Sequence, residues 1–250
     1  MPEDKKHPEH HINMVSGDVA PTVLIAEDPA YVLLFAQFMD EAHKVTEKRE
    51  YLTYTGRKDG VPISCTSTGL GCPPTSIGVE ELWHIGAKNI LRIGTCTPIQ
   101  PQVSAGDLVI ATGAMRNEHT SEEYISKEYP AVADYRLVRA LVDACQGLGY
   151  SHHRGIVRTH DAYYLESPDC QGTRTRVQKW KDLGVLAVDM ESSVTFVIAS
   201  ISDFRAGAIL LAGALDASDA PKDADAESGP QRLIKVGIAA AKLLAARGLA

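Results

Sequence analysis

The sequence predicts an α/β fold, a single-domain three-layer αβα sandwich with a mixed, mostly parallel central sheet. Short apolar runs alternate with helical patterns along the whole chain, which is typical of parallel strands covered by helices. No internal repeat or low-complexity linker divides the 250 residues, and this length is enough to bury a sizeable core. The hydrophobic fraction of 44% and the charged fraction of 23% are those of an ordinary globular protein. We therefore predict one domain over residues 1–250.

The individual elements follow from the same patterns. Seven short apolar runs are predicted as strands, at residues 22–26, 61–66, 89–94, 107–114, 153–159, 185–189 and 208–215. Six longer stretches are predicted as helices, at residues 29–42, 75–85, 134–148, 174–183, 191–200 and 230–246. The first helix has Asp28 as its N-cap and Pro29 in its first turn. Two regions, residues 116–133 and 163–172, are predicted as loops long enough to be functional.

Charge and cysteine content exclude several classes of protein. The net charge is −7 and the basic residues are scattered, whereas nucleic-acid binding needs clustered Lys and Arg. The five cysteines form no CxxC pair and no zinc-like cluster, and their odd number without a signal peptide predicts reduced thiols. Residues 1–11 are too charged for a signal peptide, and the longest apolar run, 206–215, is half the length of a membrane span. These features predict a cytoplasmic protein that binds neither nucleic acid nor membrane.

Several motifs occur in an order that indicates a family. They read STGLG from Ser67, SIGVEEL from Ser76, LRIGT from Leu91, IQP from Ile99, GDLVIAT from Gly106, YPAVAD from Tyr129 and DMES from Asp189. In this order and spacing they resemble the uridine phosphorylase branch of the nucleoside phosphorylases, from about Asp28 onward. The resemblance implies a pentosyltransferase that breaks the N-glycosidic bond of a ribonucleoside with inorganic phosphate, giving free base and ribose 1-phosphate.

The chemistry of that reaction explains the residues at its centre. Breaking the C1′–N bond develops positive charge on the sugar and negative charge on the base. Arg92 lies at the end of a predicted parallel strand, just before Gly94, where open α/β sheets bind ligands. The resemblance implies that Arg92 and Thr95 bind phosphate, with Thr95 also near the ribose. It further implies that Met190 packs on the ribose and that Glu191 accepts hydrogen bonds from the 2′- and 3′-hydroxyls, making Glu191 and Arg92 catalytic.

Two residues are matched to positions that act across a subunit interface. Arg49, in the segment KREY, matches an arginine that reaches phosphate in the neighbouring subunit. His11 matches an N-terminal histidine that contacts the ribose 5′-hydroxyl across the same interface. The resemblance therefore implies that the N-terminal arm, residues 1–20, contacts a neighbouring subunit. It also implies a homodimer with shared active sites, which the family commonly assembles into a hexamer, a trimer of dimers.

The residues expected around the base depart from the uridine phosphorylase pattern. Tyr163 falls where a stacking phenylalanine is expected, which keeps an aromatic face, although an ordinary loop tyrosine explains it equally well. Ser167 and Asp169 fall where relatives carry the Gln and Arg that read the pyrimidine edge, so a different base should fit. Cys96 and Thr97 are expected to lie at the edge of the base site. The competing interpretation is that both are ordinary small residues at the end of a strand.

Asp216 completes the predicted base site. It aligns with an aspartate that, in purine-specific relatives, protonates or hydrogen-bonds N7 of the leaving base, and we count it with the catalytic residues. A strand-end aspartate in a solvated acidic loop is the competing interpretation. Pro74 replaces a serine that some relatives use at a monovalent-cation site, so the resemblance implies no metal and no cofactor besides inorganic phosphate as co-substrate.

The phosphate loop departs furthest from the family. Its pattern is Gly-Asp-Pro-x-Arg, but here Glu27 replaces the glycine and Tyr31 replaces the arginine. Losing a charged donor of this kind costs about 1.5–3 kcal/mol, or one to two orders of magnitude in affinity. A nucleosidase, in which the Glu27 carboxylate orients water in place of phosphate, is therefore the alternative to a phosphorylase. A homologue that binds nucleosides without catalysis is the third hypothesis.

Overall fold

A computed structural model describes residues 7–164, 172–213 and 228–250, with only the backbone described for residues 172–176. The strands are Thr22–Ala26 (β1), Glu41–Lys48 (β2), Tyr51–Lys58 (β3), Val61–Ser67 (β4), Asn89–Pro98 (β5), Leu108–Asn117 (β6), Ala131–Val132 (β7), His152–His160 (β8), Ala187–Asp189 (β9) and Arg205–Ala212 (β10). The helices are Pro29–Phe38 (α1), Cys72–His84 (α2), Thr120–Tyr124 (α3), Tyr135–Leu148 (α4), Gly172–Asp182 (α5), Ser192–Ile201 (α6) and Gly229–Ala246 (α7). Among the described helices, none has both the length and the apolar composition that crossing a bilayer requires.

The central sheet is mixed, with parallel strands in the middle. Strands β4, β1, β5 and β10 lie side by side in parallel, so their carboxyl ends share one edge. From β10 the sheet continues through β6, β8 and β9, and β9 then pairs antiparallel with the end of β5 at Thr97 and Pro98. Because β5 pairs with both β10 and β9, these five strands close into a ring. The chain that leaves β9 at Asp189 therefore runs back alongside β5.

Helices cover both faces of the sheet and define two apolar cores. On one face α1, α4 and α7 pack together, burying Phe35, Leu141 and Ile234. On the other face α2 and α6 pack together, burying Leu82 and Phe196. Strand β1 lies between the two layers, and all five of its residues are buried. This arrangement confirms the predicted α/β sandwich with a mixed central sheet.

One predicted helix was too long, and the strands that replace its end were missed. The helix predicted over residues 29–42 ends at Phe38, after which Met39 is extended, with φ −84° and ψ 152°. Residues 41–48 instead form β2, whose side chains are mostly exposed. Strand β2 is defined by its antiparallel pairing with β3, which the apolar pattern does not reveal. The next turn, Asp59-Gly60, has φ values of 48° and 78°, a hairpin signal visible in the sequence.

The two predicted loops have different outcomes. Residues 116–133 contain α3 and β7. The buried Arg116 side chain holds this segment together by hydrogen bonds to its main chain. Its guanidinium donates hydrogen bonds of 2.6–2.8 Å to four main-chain carbonyls, those of Ser121, Ile125, Ser126 and Tyr129. Of the second loop, residues 165–171 lie outside the described part of the chain.

The N-terminal segment contributes to the core of its own chain. Ile12 and Met14 are fully buried in the α2–α6 core. The main-chain N–H groups of His11 and Ile12 donate hydrogen bonds to the Glu81 carboxylate on α2. Part of the segment is thus fixed on its own domain, and its contact with a neighbouring subunit stays a prediction.

Candidate active site

A buried arginine at the carboxyl edge of the parallel strands joins three carboxylates. The Arg92 side chain on β5 is only 2% exposed. Its Nη1 atom lies 2.9 Å from Oε2 of Glu27, its Nε atom lies 3.2 Å from Oδ2 of Asp189, and its Nη2 atom contacts Oε2 of Glu191. A buried guanidinium is tolerated only when paired in this way. The acids come from the ends of β1 and β9 and the start of α6, so the fold itself brings them together.

Glu27 is held at this edge by β5. Its Oε1 atom accepts hydrogen bonds from the Thr95 amide at 3.0 Å and from the Thr95 hydroxyl at 2.9 Å. Gly94, one residue earlier, has no side chain, and a Cβ atom there would overlap both Glu27 and Arg92. The adjacent Asp28 caps α1, accepting a 2.8 Å hydrogen bond from the Ala30 amide. The contact between the Glu27 and Arg92 side chains therefore depends on a glycine at position 94.

Asp189 and Gly71 orient Glu191. Oδ2 of Asp189 accepts hydrogen bonds from the Ser192 amide at 2.9 Å and hydroxyl at 2.6 Å, which fixes the start of α6. Glu191 lies at the N-cap position of α6, but its side chain makes no capping hydrogen bond. Instead, its Oε1 atom accepts a 2.7 Å hydrogen bond from the amide of Gly71, the N-cap of α2. Both oxygens of the Glu191 carboxylate are thus held by fixed donors, Gly71 and Arg92.

The charges of the cluster do not balance. One guanidinium faces three carboxylates, which leaves a net charge of −2 when all are ionised. Burial alone would lower the pKa of Arg92, but attraction to Glu191, Glu27 and Asp189 outweighs it and raises the pKa above its usual range. Burial raises the pKa of Glu191 to about 7, and repulsion from Asp189 and Glu27 adds to the rise while Arg92 opposes it. Glu191 therefore takes up a proton near neutral pH.

This titration predicts the pH dependence of activity. If Glu191 acts as an ionised hydrogen-bond acceptor, kcat/KM should rise with pH, pass through half of its maximum at about 7, the pKa of Glu191, and level off above that pH. The measurement is the pH profile of nucleoside cleavage at saturating phosphate. Glu191→Gln is the control. Its residual activity should not show the rise of kcat/KM that is due to Glu191, whereas any pH dependence due to the ionisation of phosphate should remain. The same rise in both proteins would assign the titration to another group.

The structure brings some of the predicted site residues together. Arg92, Thr95 and Glu191 belong to the cluster described above, and Met190 lies between two of its members in sequence, half-buried. The Met190 carbonyl accepts a 3.1 Å hydrogen bond from the Cys72 thiol. Cys96 follows Thr95 and is buried, and burial raises the pKa of its thiol well above the usual range, so the thiol stays protonated.

Within this one subunit, other predicted site residues lie outside the Arg92 cluster. Thr97 is half-buried and pairs with Val188 of β9. The Tyr163 ring is 59% exposed and packs edge-to-face on Tyr164, with ring centroids 4.9 Å apart. Arg49 is exposed at the tip of the β2–β3 hairpin, with φ 55°. Nδ1 of His11 lies 2.7 Å from Oε1 of Glu81. Three predicted base-site residues, Ser167, Asp169 and Asp216, lie outside the described residues.

Sequence reasoning missed two parts of the cluster. Asp189 stands in the DMES motif and was given no role, although an acid at the carboxyl end of a buried strand marks the edge where ligands bind. Glu27 was considered as a replacement for the phosphate-loop glycine and as a carboxylate that could orient water, but its contacts with Arg92 and Thr95 were not predicted. Its position directly after the fully buried β1 was the available signal that its carboxylate lies at the same edge.

A second group of ligand-type atoms lies near the site. Cys72, Glu118 and Asp161 each place one such atom within 4.8 Å of the others. Burial raises the pKa of the Cys72 thiol far above its usual range, which disfavours the thiolate that metals prefer. The Glu118 carboxylate already accepts hydrogen bonds from the amide and hydroxyl of Ser121 and from the Ser193 hydroxyl. The group is therefore poorly suited to a metal.

Comparisons with known proteins agree with the fold and the motifs. The phosphorylase superfamily model matches residues 21–247. Uridine phosphorylase of Treponema pallidum is 42% identical over 208 residues, covering 81% of each chain. Guanosine phosphorylase of Halorubrum lacusprofundi is 39% identical over 199 residues, covering 80% of each. The crystal structure of Toxoplasma gondii purine nucleoside phosphorylase in complex with immucillin-H superposes with a TM-score of 0.88 at 28% identity, covering 98% of this chain and 99% of that one.

The fold and these similarities define an enzyme of the pentosyltransferase class. Within that class, the chain belongs to the phosphorylase superfamily, among the uridine phosphorylase-like nucleoside phosphorylases. The family and the enzyme class predicted from the sequence motifs are thereby confirmed.

Proposed function

We propose that the protein cleaves the N-glycosidic bond of a ribonucleoside by reversible phosphorolysis, producing a free base and ribose 1-phosphate. The observation that carries the proposal is the contact between buried Arg92 and Glu191 at the carboxyl edge of the parallel strands. That edge is where sheets of this kind bind ligands. The relatives described above, a uridine and a guanosine phosphorylase, support the same reaction and leave the base open.

In this proposal Glu191 stabilises the sugar as the bond breaks. The cleavage develops positive charge at C1′, and an ionised carboxylate beside the ribose lowers the energy of that state. Hydrogen bonds from Gly71 and Arg92 fix the carboxylate before substrate binds, so little reorganisation is needed during the reaction. Met190 packs on the ribose, Thr95 and Arg92 bind phosphate, and Cys96, Thr97, Tyr163, Ser167 and Asp216 surround the base.

The proposal includes a second subunit and no cofactor. Inorganic phosphate is the co-substrate, and no metal takes part. Arg49, exposed at a hairpin tip, and His11, bound to Glu81, lie outside the Arg92 cluster of their own chain, which is compatible with their acting in a partner's site. We therefore propose a homodimer with shared active sites, assembled as a hexamer, in the cytoplasm.

Base release from a panel of nucleosides tests this function. The panel contains uridine, thymidine, guanosine, inosine and adenosine, each incubated with and without phosphate and followed by ultraviolet absorbance. We expect at least one nucleoside to release its base in the presence of phosphate, with ribose 1-phosphate as the sugar product. Binding of nucleosides without any base release would instead identify a non-catalytic homologue.

A further inference from the structure

The pocket assigned to phosphate already contains a carboxylate. Oε1 of Glu27 accepts hydrogen bonds from the amide and hydroxyl of Thr95, and its Oε2 atom accepts one from Nη1 of Arg92. These are the donors that the family resemblance assigns to phosphate. The Glu27 side chain is only 7% exposed, so it is built into the site and is not a surface group folded over it.

A phosphate dianion meets strong repulsion in this arrangement. With its carboxylates ionised, the cluster carries one positive and three negative groups before phosphate enters, and the site is buried, where like charges repel most strongly. Phosphate therefore has to displace Glu27 from Thr95 and Arg92 before it can use them. A neutral water molecule faces no such repulsion.

The Glu27 carboxylate has room for one more hydrogen bond. An ionised carboxylate offers about four acceptor positions, and the structure fills three of them. Among the described residues no donor occupies the fourth position, which is on Oε2, the oxygen bound to Nη1 of Arg92. Nη2 of the same guanidinium contacts Glu191, the residue assigned to the ribose. A water molecule bound at Oε2 would thus lie beside the sugar site.

We propose that Glu27 gives this enzyme a hydrolytic activity that does not require phosphate. The water oxygen attacks C1′ while its proton passes to Glu27, and the C1′–N bond breaks with its electron pair going to the base nitrogen. The base takes a proton from solvent, Glu27 returns its proton to solvent, and the products are free base and ribose. This inference rests on the proposed function, because the same Glu191 site and the same nucleosides are used.

The test compares the wild type with Glu27→Gln in buffer freed of phosphate. Phosphorolysis consumes phosphate, so base released in excess of the residual phosphate must come from hydrolysis. We expect the wild type to release more base than the residual phosphate can account for, and to produce ribose, which NMR detects. Glu27→Gln keeps the size of the side chain and loses the base, so hydrolysis should fall about 100-fold or more. Glu122→Gln, which alters an exposed acid paired with Lys127, is the matched control and should retain the full rate.

A second variant keeps the test independent of folding. Glu27→Gly restores the glycine of the family pattern and removes the carboxylate from the donors of Thr95 and Arg92. It should lose phosphate-independent turnover and reach half-saturation at a lower phosphate concentration than the wild type. Wild-type base release that stops when residual phosphate is consumed would overturn this inference and leave the proposed phosphorylase intact. Absence of base release with or without phosphate would instead overturn the proposed function.

Discussion

Glu191→Ala is expected to lower kcat/KM for nucleoside cleavage by about a hundred- to a thousand-fold, the usual effect of removing one preorganised charge-stabilising group. The reason is that the proposed function places Glu191 beside the sugar, while both of its oxygens are held by Gly71 and Arg92. The fold should persist, because the Asp189 hydrogen bonds that cap α6 do not involve the Glu191 side chain. Steady-state kinetics and circular dichroism measure the two effects.

Glu191→Gln separates charge from hydrogen bonding at this position. The amide oxygen can still accept from Gly71, but the negative charge beside the sugar is lost. We expect the glutamine variant to be nearly as inactive as the alanine variant and more stable. An alanine variant with near wild-type kcat/KM would contradict the role assigned to Glu191.

Arg92→Met should have the largest effect on stability. The substitution leaves Glu27, Asp189 and Glu191 buried together without a positive charge, and breaking a buried ion pair in this way costs about 3–5 kcal/mol. Arg92 is the group that opposes the raised pKa of Glu191, so without Arg92 this pKa rises further and the folded variant binds more protons than the unfolded chain. Its free energy of unfolding should therefore increase as the pH is lowered from 7 towards 5, the opposite of ordinary acid destabilisation.

Urea denaturation at pH 7 and pH 5 measures this effect. Arg136→Ala is the matched control, because the Arg136 side chain is 51% exposed and pairs with Asp134 at the surface. Removing an exposed pair should change the free energy of unfolding by no more than about 1 kcal/mol at either pH. An Arg92→Met protein as stable as the wild type at pH 7 would show that the three carboxylates are not held together in an ionised state.

Burial explains which elements the sequence revealed. Strand β1 is buried on both faces, so its apolar run TVLIA is visible without knowledge of its neighbours. Helix α1 was located at its start by Asp28 and Pro29, whose effects are local. Its end was misplaced because β2 is mostly exposed and is held by hydrogen bonds to β3. Pairing between strands is information that a single apolar pattern does not carry.

The same distinction applies to the site. Arg92, Thr95 and Glu191 were identified because they stand in motifs that occur in this chain in the same order as in the nucleoside phosphorylases. The contact between Glu27 and Thr95 joins residues 68 positions apart and depends on the pairing of β1 with β5 and on the space that Gly94 leaves for the Glu27 side chain. The sequence showed that a carboxylate had replaced the glycine of the phosphate loop. The sequence did not show that this carboxylate accepts hydrogen bonds from Thr95 and Arg92, the residues assigned to phosphate. That contact is visible only when the two strands are placed side by side.

The most direct test of the account follows C1′ of the substrate itself. Uridine and guanosine labelled with ¹³C at C1′ are incubated with the wild type and with Glu191→Gln in phosphate buffer, and the label is observed by NMR. We predict that the wild type moves the C1′ signal of at least one nucleoside to that of a free or phosphorylated ribose, and that Glu191→Gln leaves it almost unchanged. Cleavage at equal rates by both proteins would contradict the assignment of the Arg92–Glu191 cluster as the catalytic site.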